Sequence, residues 1–223
     1  MKRASGILLP VASLPSKYGI GCFSKEAYAF IDKLVEAGQS YWQILPLSPT
    51  SYGDSPYQSF SSFAGNPYFI DPDALVEEGL LTQEECEEFD FGSNPVQIDY
   101  EKQYRQRFRL LRLAYGRSRI AENPEFSRFT AENADWLEDY ALFMAVKERF
   151  DGAAWNEWAE DIRKRWSFAM DYYRRECYFD IEFYKYLQFV FFGQWMKLKQ
   201  YANAKGIRII GDIPIYVAFD SSD

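Results

Sequence analysis

The sequence predicts an α/β protein, and three patterns along the chain favour this class. A short apolar run, an amphipathic helical segment and a second apolar run follow one another between residues 6 and 47. A mainly helical region then extends from about residue 73 to residue 204, and a third apolar run begins at Ile207. Parallel strands need a crossover connection, usually a helix, so this succession indicates a parallel sheet.

The first strand–helix–strand unit is predicted from local signals. Residues 6–10 (GILLP) form an apolar run that ends at a proline, which predicts a buried strand. Ser24 is a suitable N-cap, and Gly38 suits the end of the helix. The apolar positions between them recur at helical spacing: Ala27, Phe30, Ile31 and Leu34. Residues 41–47 (YWQILPL) predict a second buried strand, parallel to the first.

The helical region carries a capping-box pattern, Thr82 followed by Glu85, and three apolar stripes that we interpret as core. The stripes are Trp136, Leu137, Tyr140, Ala141 and Met144; Trp155, Trp158, Ile162, Trp166, Ala169 and Tyr173; and Tyr184, Leu187, Phe191, Trp195, Leu198 and Ala202. The helix with the third stripe leads into a predicted buried strand at about residues 207–217.

These elements divide the chain into three parts: a strand–helix–strand unit with an irregular segment (1–72), a mainly helical part (73–176), and a helix with the next strand (177–223). Three strands cannot close a barrel, which needs eight. We therefore expect the chain to be the front part of a larger protein, and to expose an apolar sheet edge on its own.

The charged and reactive residues exclude several classes of site. The chain has no histidine, which rules out a histidine-based triad, a histidine-containing zinc site and an imidazole base. Its three cysteines have no CxxC spacing, so neither a disulfide framework nor a four-cysteine metal site is expected. We expect reduced thiols, a cytoplasmic location, no metal and no organic cofactor.

The balance of charge and hydropathy argues against two kinds of partner. The chain has 33 acidic against 25 basic residues, a net charge of −8, and nucleic-acid binding relies on clustered lysine and arginine. No stretch reaches the roughly 18 apolar residues of a membrane span, and a secretory signal is absent. Nucleic acid and membrane are therefore not expected as partners.

An aromatic content of 19% suggests a sugar ligand, because aromatic faces pack against sugar rings. The irregular segment YGDSPYQ, directly after the second strand, offers a carboxylate, a hydroxyl, an amide and two phenols. Such groups can pair with sugar hydroxyls, and the candidate residues are Tyr52, Asp54, Ser55 and Tyr57. The alternative is a plain turn, since Asp and Ser before Pro form turns by local hydrogen bonding.

A second candidate is Asp212, at the end of the third strand. A carboxylate at the end of a central strand is costly to bury, which favours a functional role. The alternative is a carboxylate satisfied by local backbone N–H groups or an arginine. Asp220 and Asp223 lie next to serines, which usually indicates a helix cap or a turn.

Five strings resemble the amylomaltase family, the 4-α-glucanotransferases: SLPSKYGIG (13–21), YWQILPLSPT (41–50), YGDSPYQSFSSFAGNPYFID (52–71), WLEDYALFMAVKE (136–148) and GIRIIGDIPIYVAFDSSD (206–223). The resemblance implies an incomplete (βα)8 TIM barrel with a large, mainly helical insertion. It also implies transfer of α-1,4-glucan segments to glucose or another glucan by a retaining double displacement. The expected partner is a maltooligosaccharide, or a glucan derived from starch or glycogen.

The chain departs from the family pattern at the reacting groups. The family's nucleophile, acid/base and stabilising carboxylates lie in motifs resembling RIDHFRG, LAEDLG and THDN, and none of these strings occurs here. The resemblance therefore assigns no catalytic residue to this chain and implies that it is inactive alone.

By resemblance, Ser55 and Tyr57 line sugar subsites, Asp212 binds glucose hydroxyls, and Asp54 holds the shape of the loop. Tyr52 and Tyr104 would contribute a glucan surface. The alternative function is a non-catalytic glucan-binding module, and a hydrolase of the same clan is disfavoured by the loop string.

Overall fold

The computed structural model describes residues 3–51, 53–92, 94 and 96–223. The strands are β1 (Gly6–Leu8), β2 (Tyr41–Gln43) and β3 (Arg208–Ile210). The helices are α1 (Lys25–Glu36), α2 (Pro72–Glu77), α3 (Gln83–Glu87), α4 (Tyr100–Lys102), α5 (Phe108–Arg117), α6 (Pro124–Glu132), α7 (Ala134–Arg149), α8 (Glu160–Arg163), α9 (Ser167–Glu176) and α10 (Tyr178–Ala204). A π-helical turn, Gln103–Arg107, joins α4 to α5, and 3-10 turns lie at Val11–Ser13, Pro67–Phe69, Ile120–Glu122 and Trp155–Glu157.

The strands that the structure describes form one parallel sheet in the order β1–β2–β3. Gly6 is in register with Tyr41, and Tyr41 with Arg208, so the predicted parallel pairing is confirmed. Each strand has only three residues, fewer than predicted. The predicted burial of β1 is wrong: Ile7 is 42% and Leu8 53% exposed, because β1 lies at an edge of this sheet. This is the exposed apolar edge expected from the strand count.

The burial predicted for the third strand, at about residues 207–217, is wrong as well. Strand β3 ends at Ile210, which is 44% exposed, and four apolar residues that follow it are also exposed: Ile213, Ile215, Tyr216 and Val217. The reason is the same, because β3 is the other edge strand of the described sheet.

Helix α1 agrees closely with its prediction. Ser24 is the N-cap residue, although its hydroxyl donates to Glu26 rather than accepting from the backbone. The predicted apolar positions are buried at Ala27, Ile31 and Leu34, and half-buried at Phe30. Gly38 has a φ of +67°, the left-handed conformation that favours glycine after a helix.

The other helical predictions are confirmed in part. The capping box of Thr82 and Glu85 is present, and the stripes on α7 and α10 are largely buried. The stripe predicted from Trp155 to Tyr173 is divided among a 3-10 turn, α8 and α9. Trp166, which we predicted in the core, is 43% exposed, because it precedes α9 as its N-cap residue and does not share the buried face of that helix.

The contacts divide the chain into two compact units. The first comprises Met1–Leu47, Asn66–Arg119 and Val190–Ile213; the second comprises Ser48–Gly65, Ile120–Phe189 and Pro214–Asp223. The predicted boundaries after residues 72 and 176 fall inside the first and the second unit, respectively. The three-part division therefore stays a prediction.

Hydropathy gives no sign of a transmembrane helix in the part of the chain that the structure describes.

The first unit is built on the βαβ segment and the second half of α10. Trp42, on β2, is fully buried, and its indole N–H donates to the Leu9 carbonyl at 2.8 Å. The Asp32 carboxylate of α1 accepts from the Tyr201 hydroxyl at 2.8 Å and pairs with Lys205 at 2.9 Å. These contacts hold α10 against α1, and α10 leads directly into β3.

A buried arginine lies in the same unit. The Arg107 guanidinium lies 5.3 Å from the Tyr18 ring centroid and 5.1 Å from that of Phe91. Its Nε and both terminal nitrogens form no hydrogen bond with any described residue, and the side chain is fully buried. Burial lowers the pKa of Arg107, because the charged form loses its hydration. Cation–π attraction to the two rings and the through-space attraction of the buried Asp71 carboxylate favour the charged form.

Candidate functional site

The loop between β2 and the Pro67–Phe69 turn belongs to the second unit from Ser48 to Gly65. Thr50 and Ser59 form an isolated antiparallel bridge, and the Ser51 N–H donates to the Gln58 carbonyl at 3.0 Å. Between them, Gly53 and Asp54 have φ values of +81° and +55°. The loop is therefore a closed turn whose tip is set by two left-handed residues.

The candidate residues at this tip are held by local bonds. The Ser55 hydroxyl accepts from the Tyr57 N–H at 3.3 Å, and the Ser55 carbonyl accepts from the Gln58 N–H at 3.1 Å. These are the bonds of the plain-turn alternative, and they leave Tyr57 46% exposed. Asp54 is exposed as a residue, yet partial burial of its carboxylate raises its pKa. Tyr52 lies outside the described residues.

Asp212 belongs to the first unit and follows β3 by two residues. It is exposed, so the desolvation argument for a functional role is wrong: β3 is an edge strand of the described sheet, not a central one. Its Oδ1 accepts from the Ile213 N–H at 2.9 Å, which is the local bonding of the alternative. Its predicted position, at the carboxyl end of a strand, is confirmed. Tyr104, also in the first unit, is exposed and meets Phe108 edge to face.

Within the second unit, the loop is bonded to the last residues of the chain. The Ser222 N–H donates to the Phe60 carbonyl at 2.9 Å. The Asp223 carboxylate accepts from the Ser61 hydroxyl at 2.8 Å and from the Ser62 N–H at 2.5 Å. The two most specific strings in the sequence, 52–71 and 206–223, therefore meet at these residues.

Asp220 takes part in a buried ion pair. Its carboxylate lies 2.5 Å from Lys147 Nζ, with side-chain exposures of 12% and 7%, and it accepts from the Trp155 N–H at 3.2 Å. Lys147 also donates to the Ala153 carbonyl and lies 5.1 Å from the Phe60 ring. Asp220 therefore does not act through the local cap or turn that its neighbouring serine predicts. The overlooked signal was Lys147 itself, a lysine within the apolar stretch ALFMAVKE.

The far end of the loop is held by an amide. The buried Gln188 side chain accepts from the Gly65 N–H at 2.7 Å and donates to the Gly65 carbonyl at 2.9 Å. Next to Gly65, Ala64 packs with Leu137 and Tyr140, and the exposed Phe63 ring stacks on Trp136 at 6.3 Å. The loop thus presents exposed rings from a backbone that is fixed at both ends.

A cavity of about 330 Å³ also lies in the second unit. Its rings come from Phe143, Trp155, Trp158 and Phe219, and its charged groups from Asp139, Arg163, Arg165 and Asp223. Of the candidates from the sequence that the structure describes, Asp54, Ser55, Tyr57 and Asp212 are not part of its lining. Rings, carboxylates and guanidinium groups together suit a neutral polar ligand.

Over the described ranges, no three His, Cys, Asp or Glu side chains form a group that could hold a metal ion. The arrangement at the loop instead offers hydroxyl, phenol, amide and carboxylate groups beside exposed rings. Groups of these kinds can pair with sugar hydroxyls, so the loop stays a candidate for sugar binding.

Comparison with known proteins agrees with that chemistry. A family model described as 4-alpha-glucanotransferase matches residues 9–223. The 4-alpha-glucanotransferase of Clostridium butyricum is 51% identical over 213 residues, 96% of this chain and 44% of the relative. That of Streptococcus pneumoniae is 51% identical over 224 residues, 100% of this chain and 44% of the relative. The chain thus spans less than half the length of these relatives.

A solved structure of the amylomaltase from Streptococcus agalactiae in complex with acarbose has a TM-score of 0.94 with this chain. The two are 44% identical, and the match covers 99% of this chain and 45% of that one. The amylomaltase of Corynebacterium glutamicum is similar in fold, with a TM-score of 0.71 at 19% identity.

The family model covers nearly the whole sequence, and the relatives match it almost from end to end. This chain therefore belongs to the 4-alpha-glucanotransferase family.

Proposed function

We propose that this chain is the glucan-binding, amino-terminal portion of a cytoplasmic 4-α-glucanotransferase. The observation that carries the proposal is the likeness, over 99% of the chain, to an amylomaltase in complex with acarbose. The three cysteines are free and buried, which suits a reducing compartment. The substrate would be a maltooligosaccharide or a longer α-1,4-glucan.

The reaction would be a retaining double displacement. A carboxylate attacks the anomeric carbon while a carboxylic acid protonates the departing oxygen, and an acceptor hydroxyl then displaces the carboxylate and returns a proton to the acid/base. We propose that these acids lie outside this chain, because the motifs that would carry them do not occur in its sequence. This portion would bind and orient the glucan.

Within that role, Ser55 and Tyr57 would contact the sugar near the bond that is cut, through a hydroxyl and an exposed phenol ring. Asp54 would keep the tip of the loop in its left-handed conformation, which Asp tolerates better than most residues. Asp212, considered separately in the first unit, would accept hydrogen bonds from glucose hydroxyls. Tyr52 would extend the ring surface.

The fold of the whole enzyme would be a (βα)8 barrel, of which β1, β2 and β3 are early strands and the helical segments an insertion. The parallel pairing of three strands with helices between them supports this proposal. The position of Asp212 supports it as well, because active sites of such barrels lie at the carboxyl ends of the strands.

The proposal is tested by fragment complementation. This chain is co-expressed with the portion of the Streptococcus agalactiae amylomaltase that lies outside the match, and glucose release from maltotriose is measured. We expect activity from the pair and none from either part alone. Activity of the 223-residue chain alone would refute the absence of the catalytic acids, and an inactive but stably associated pair would refute the function.

The second candidate is a glucan-binding module without catalysis, which the exposed rings of the loop also favour. Two measurements together distinguish this module from the transferase portion: titration calorimetry of this chain with a long maltodextrin, and the complementation assay. Binding by this chain together with an inactive pair would identify the module.

A further inference from the structure

A buried serine hydroxyl lies in the second half of the loop that carries Tyr57. Ser61 is 1% exposed. Its hydroxyl accepts from the Phe63 N–H at 3.2 Å and from the Ala64 N–H at 3.4 Å, and it donates to the Asp223 carboxylate at 2.8 Å. A hydroxyl has one donor and two acceptor positions, so the protein itself fills the hydrogen-bonding capacity of this one. The Ser61 hydroxyl is therefore not available to a sugar.

The backbone of Ser61 is bonded as closely as its side chain. The Ser59 hydroxyl donates to the Ser61 carbonyl at 2.6 Å and accepts from the Ser61 N–H at 3.2 Å. Ser59 also forms the antiparallel bridge with Thr50, at the base of the turn. A continuous set of hydrogen bonds therefore joins Ser61 to the base of the turn whose tip carries Tyr57.

The bonds at the tip and the bond from Ser61 to Asp223 differ in range. The tip bonds described above join residues 51–58 to one another, and they determine the shape of the turn. Such local bonds can form in an isolated turn. The bond from the Ser61 hydroxyl to Asp223 instead joins residues that are 162 positions apart in the chain. This long-range bond therefore determines where the turn lies on the second unit.

Burial makes the hydroxyl of Ser61 difficult to replace. Without it, two backbone N–H groups and one carboxylate oxygen each lose a hydrogen bond at a position that water reaches poorly. The chain can recover these bonds only if the backbone around Ser61 moves. Such a movement loosens the turn, and a loosened turn must be ordered again when a ligand binds, which lowers the affinity for that ligand.

We propose that Ser61 is a positioning residue of the candidate sugar site. It holds the turn in place so that the Tyr57 ring meets the sugar, and it does not itself contact the ligand. The inference rests on the proposed function, since it assigns a role within the same loop. Two serines of the loop then differ in function, because Ser55 is half-buried at the tip and Ser61 is buried at the base.

The test is a double-mutant cycle in which acarbose is titrated into the chain and binding is measured by calorimetry. Ser61→Ala should weaken acarbose binding about tenfold, the loss that is also expected of Tyr57→Ala. Because Ser61 acts through Tyr57, the double variant Ser61→Ala/Tyr57→Ala should also bind about tenfold more weakly, rather than the roughly hundredfold expected of independent contacts. A residue that only stabilises the fold would not show this coupling to Tyr57.

Two controls separate positioning from stability. Ser62→Ala removes the neighbouring exposed side chain and keeps the Ser62 N–H that donates to Asp223, so acarbose binding should not change. Ala169→Gly, within α9, should lower the melting temperature by about 2–4 °C through its lower helix propensity and leave acarbose binding unchanged.

Folding is checked by circular dichroism at the temperature of the titration. A second variant, Ser59→Ala, interrupts the same set of bonds between Ser61 and the Thr50 bridge. It should show the same tenfold loss and the same coupling to Tyr57, and it decides the question if Ser61→Ala does not fold.

Four results would overturn the inference: unchanged acarbose binding by the folded Ser61→Ala or Ser59→Ala variant, a hundredfold loss in the double variant, an equal loss in Ser62→Ala, or an equal loss in Ala169→Gly. The outcome is separable from the proposed function. If the complementation pair releases glucose from maltotriose but Ser61→Ala binds acarbose normally, only the positioning role is refuted. If the unaltered chain does not bind acarbose, sugar binding by the loop is refuted as well.

Discussion

The two units each contain a buried cation, and they hold it in different ways. In the second unit, Lys147 is paired with Asp220 at 2.5 Å, donates to a carbonyl and lies near two aromatic rings. In the first unit, Arg107 lies between Tyr18 and Phe91 without a hydrogen bond to any described residue. One charge forms a direct ion pair, whereas the other lies between rings and interacts through space, without a hydrogen bond, with the buried Asp71 carboxylate.

The difference indicates what each cation contributes. Removing one partner of a buried ion pair leaves the other charge desolvated and unpaired, which is strongly destabilising. Removing a buried charge that forms no direct ion pair and no hydrogen bond removes its own desolvation cost and only a through-space attraction. Lys147 should therefore be essential for holding Asp220 and the residues next to it against α7. Arg107 should instead be replaceable by an apolar side chain of similar length.

The largest effect is expected from Lys147→Met. The substitution leaves Asp220 buried without its counter-ion and should lower the free energy of unfolding by about 3–5 kcal/mol. Urea denaturation followed by circular dichroism measures the change. Lys164 of the exposed Lys164–Glu160 pair provides the matched control, and Lys164→Met should cost no more than about 1 kcal/mol. Equal losses of unfolding free energy in the two variants would contradict the claim that the buried ion pair matters more for stability than the exposed one.

The next effect concerns the backbone that encloses Arg107. Gly19 has a φ of +72°, and a Cβ there would lie 2.0 Å from the Phe91 carbonyl oxygen. Gly19→Ala should therefore destabilise the chain by at least about 2 kcal/mol, through left-handed strain and displacement of Phe91. Gly116→Ala, within α5 and with open space around it, should instead stabilise by about 0.5–1 kcal/mol. If Gly19→Ala left the stability unchanged, the backbone around Arg107 would not be tightly packed.

A smaller effect is expected from Arg107→Met. The apolar side chain can fill the space between the two rings without a desolvated charge, so stability should stay the same or rise by about 1 kcal/mol. The same urea titration measures it. A loss similar to that of Lys147→Met would mean that the guanidinium has a strong partner, and the contrast between the two cations would fail.

The smallest effect is a pH dependence at an exposed pair in the first unit. Arg117 donates to both Glu85 oxygens, at 2.5 and 2.7 Å, and this bonding lowers the pKa of Glu85 from 4.5 to about 2. Because the folded-state pKa is lowered, the stabilisation is present above pH 4.5 and is lost as the pH falls towards 2. In Glu85→Gln, stability should fall less steeply over that interval. Melting temperatures measured from pH 5 to pH 2.5 would show it, and parallel curves for the two chains would contradict it.

Local features of this fold were predictable from sequence. The N-cap and glycine stop of α1, the capping box of Thr82 and Glu85, and the parallel pairing depend on residues close together in the chain or on a general rule of topology. Features that depend on contacts between residues far apart in the chain were not predictable from sequence. The partner of Lys147 lies 73 residues away, and no periodicity indicates it. The exposure of Trp166 and Asp212 depends on which neighbours cover them, which a stripe or a strand end does not reveal.

The site shows the same limit. The loop residues were predicted to bind sugar because their types suit sugar hydroxyls and because their string resembles a family. Their local turn bonds, and the bonds from Ser61 and Ser62 to Asp223, come only from the fold. Sequence therefore indicated the candidate segments, and the structure shows that two of them are joined by hydrogen bonds.

The most direct test of the account is titration of acarbose into this chain and into its Tyr57→Ala and Tyr57→Phe variants, followed by calorimetry. If the loop binds sugar, the unaltered chain should bind acarbose, Tyr57→Ala should weaken that binding by about tenfold, and Tyr57→Phe should retain most of it, because the ring provides the contact. Identical binding by all three proteins would contradict the central claim that this loop binds the glucan.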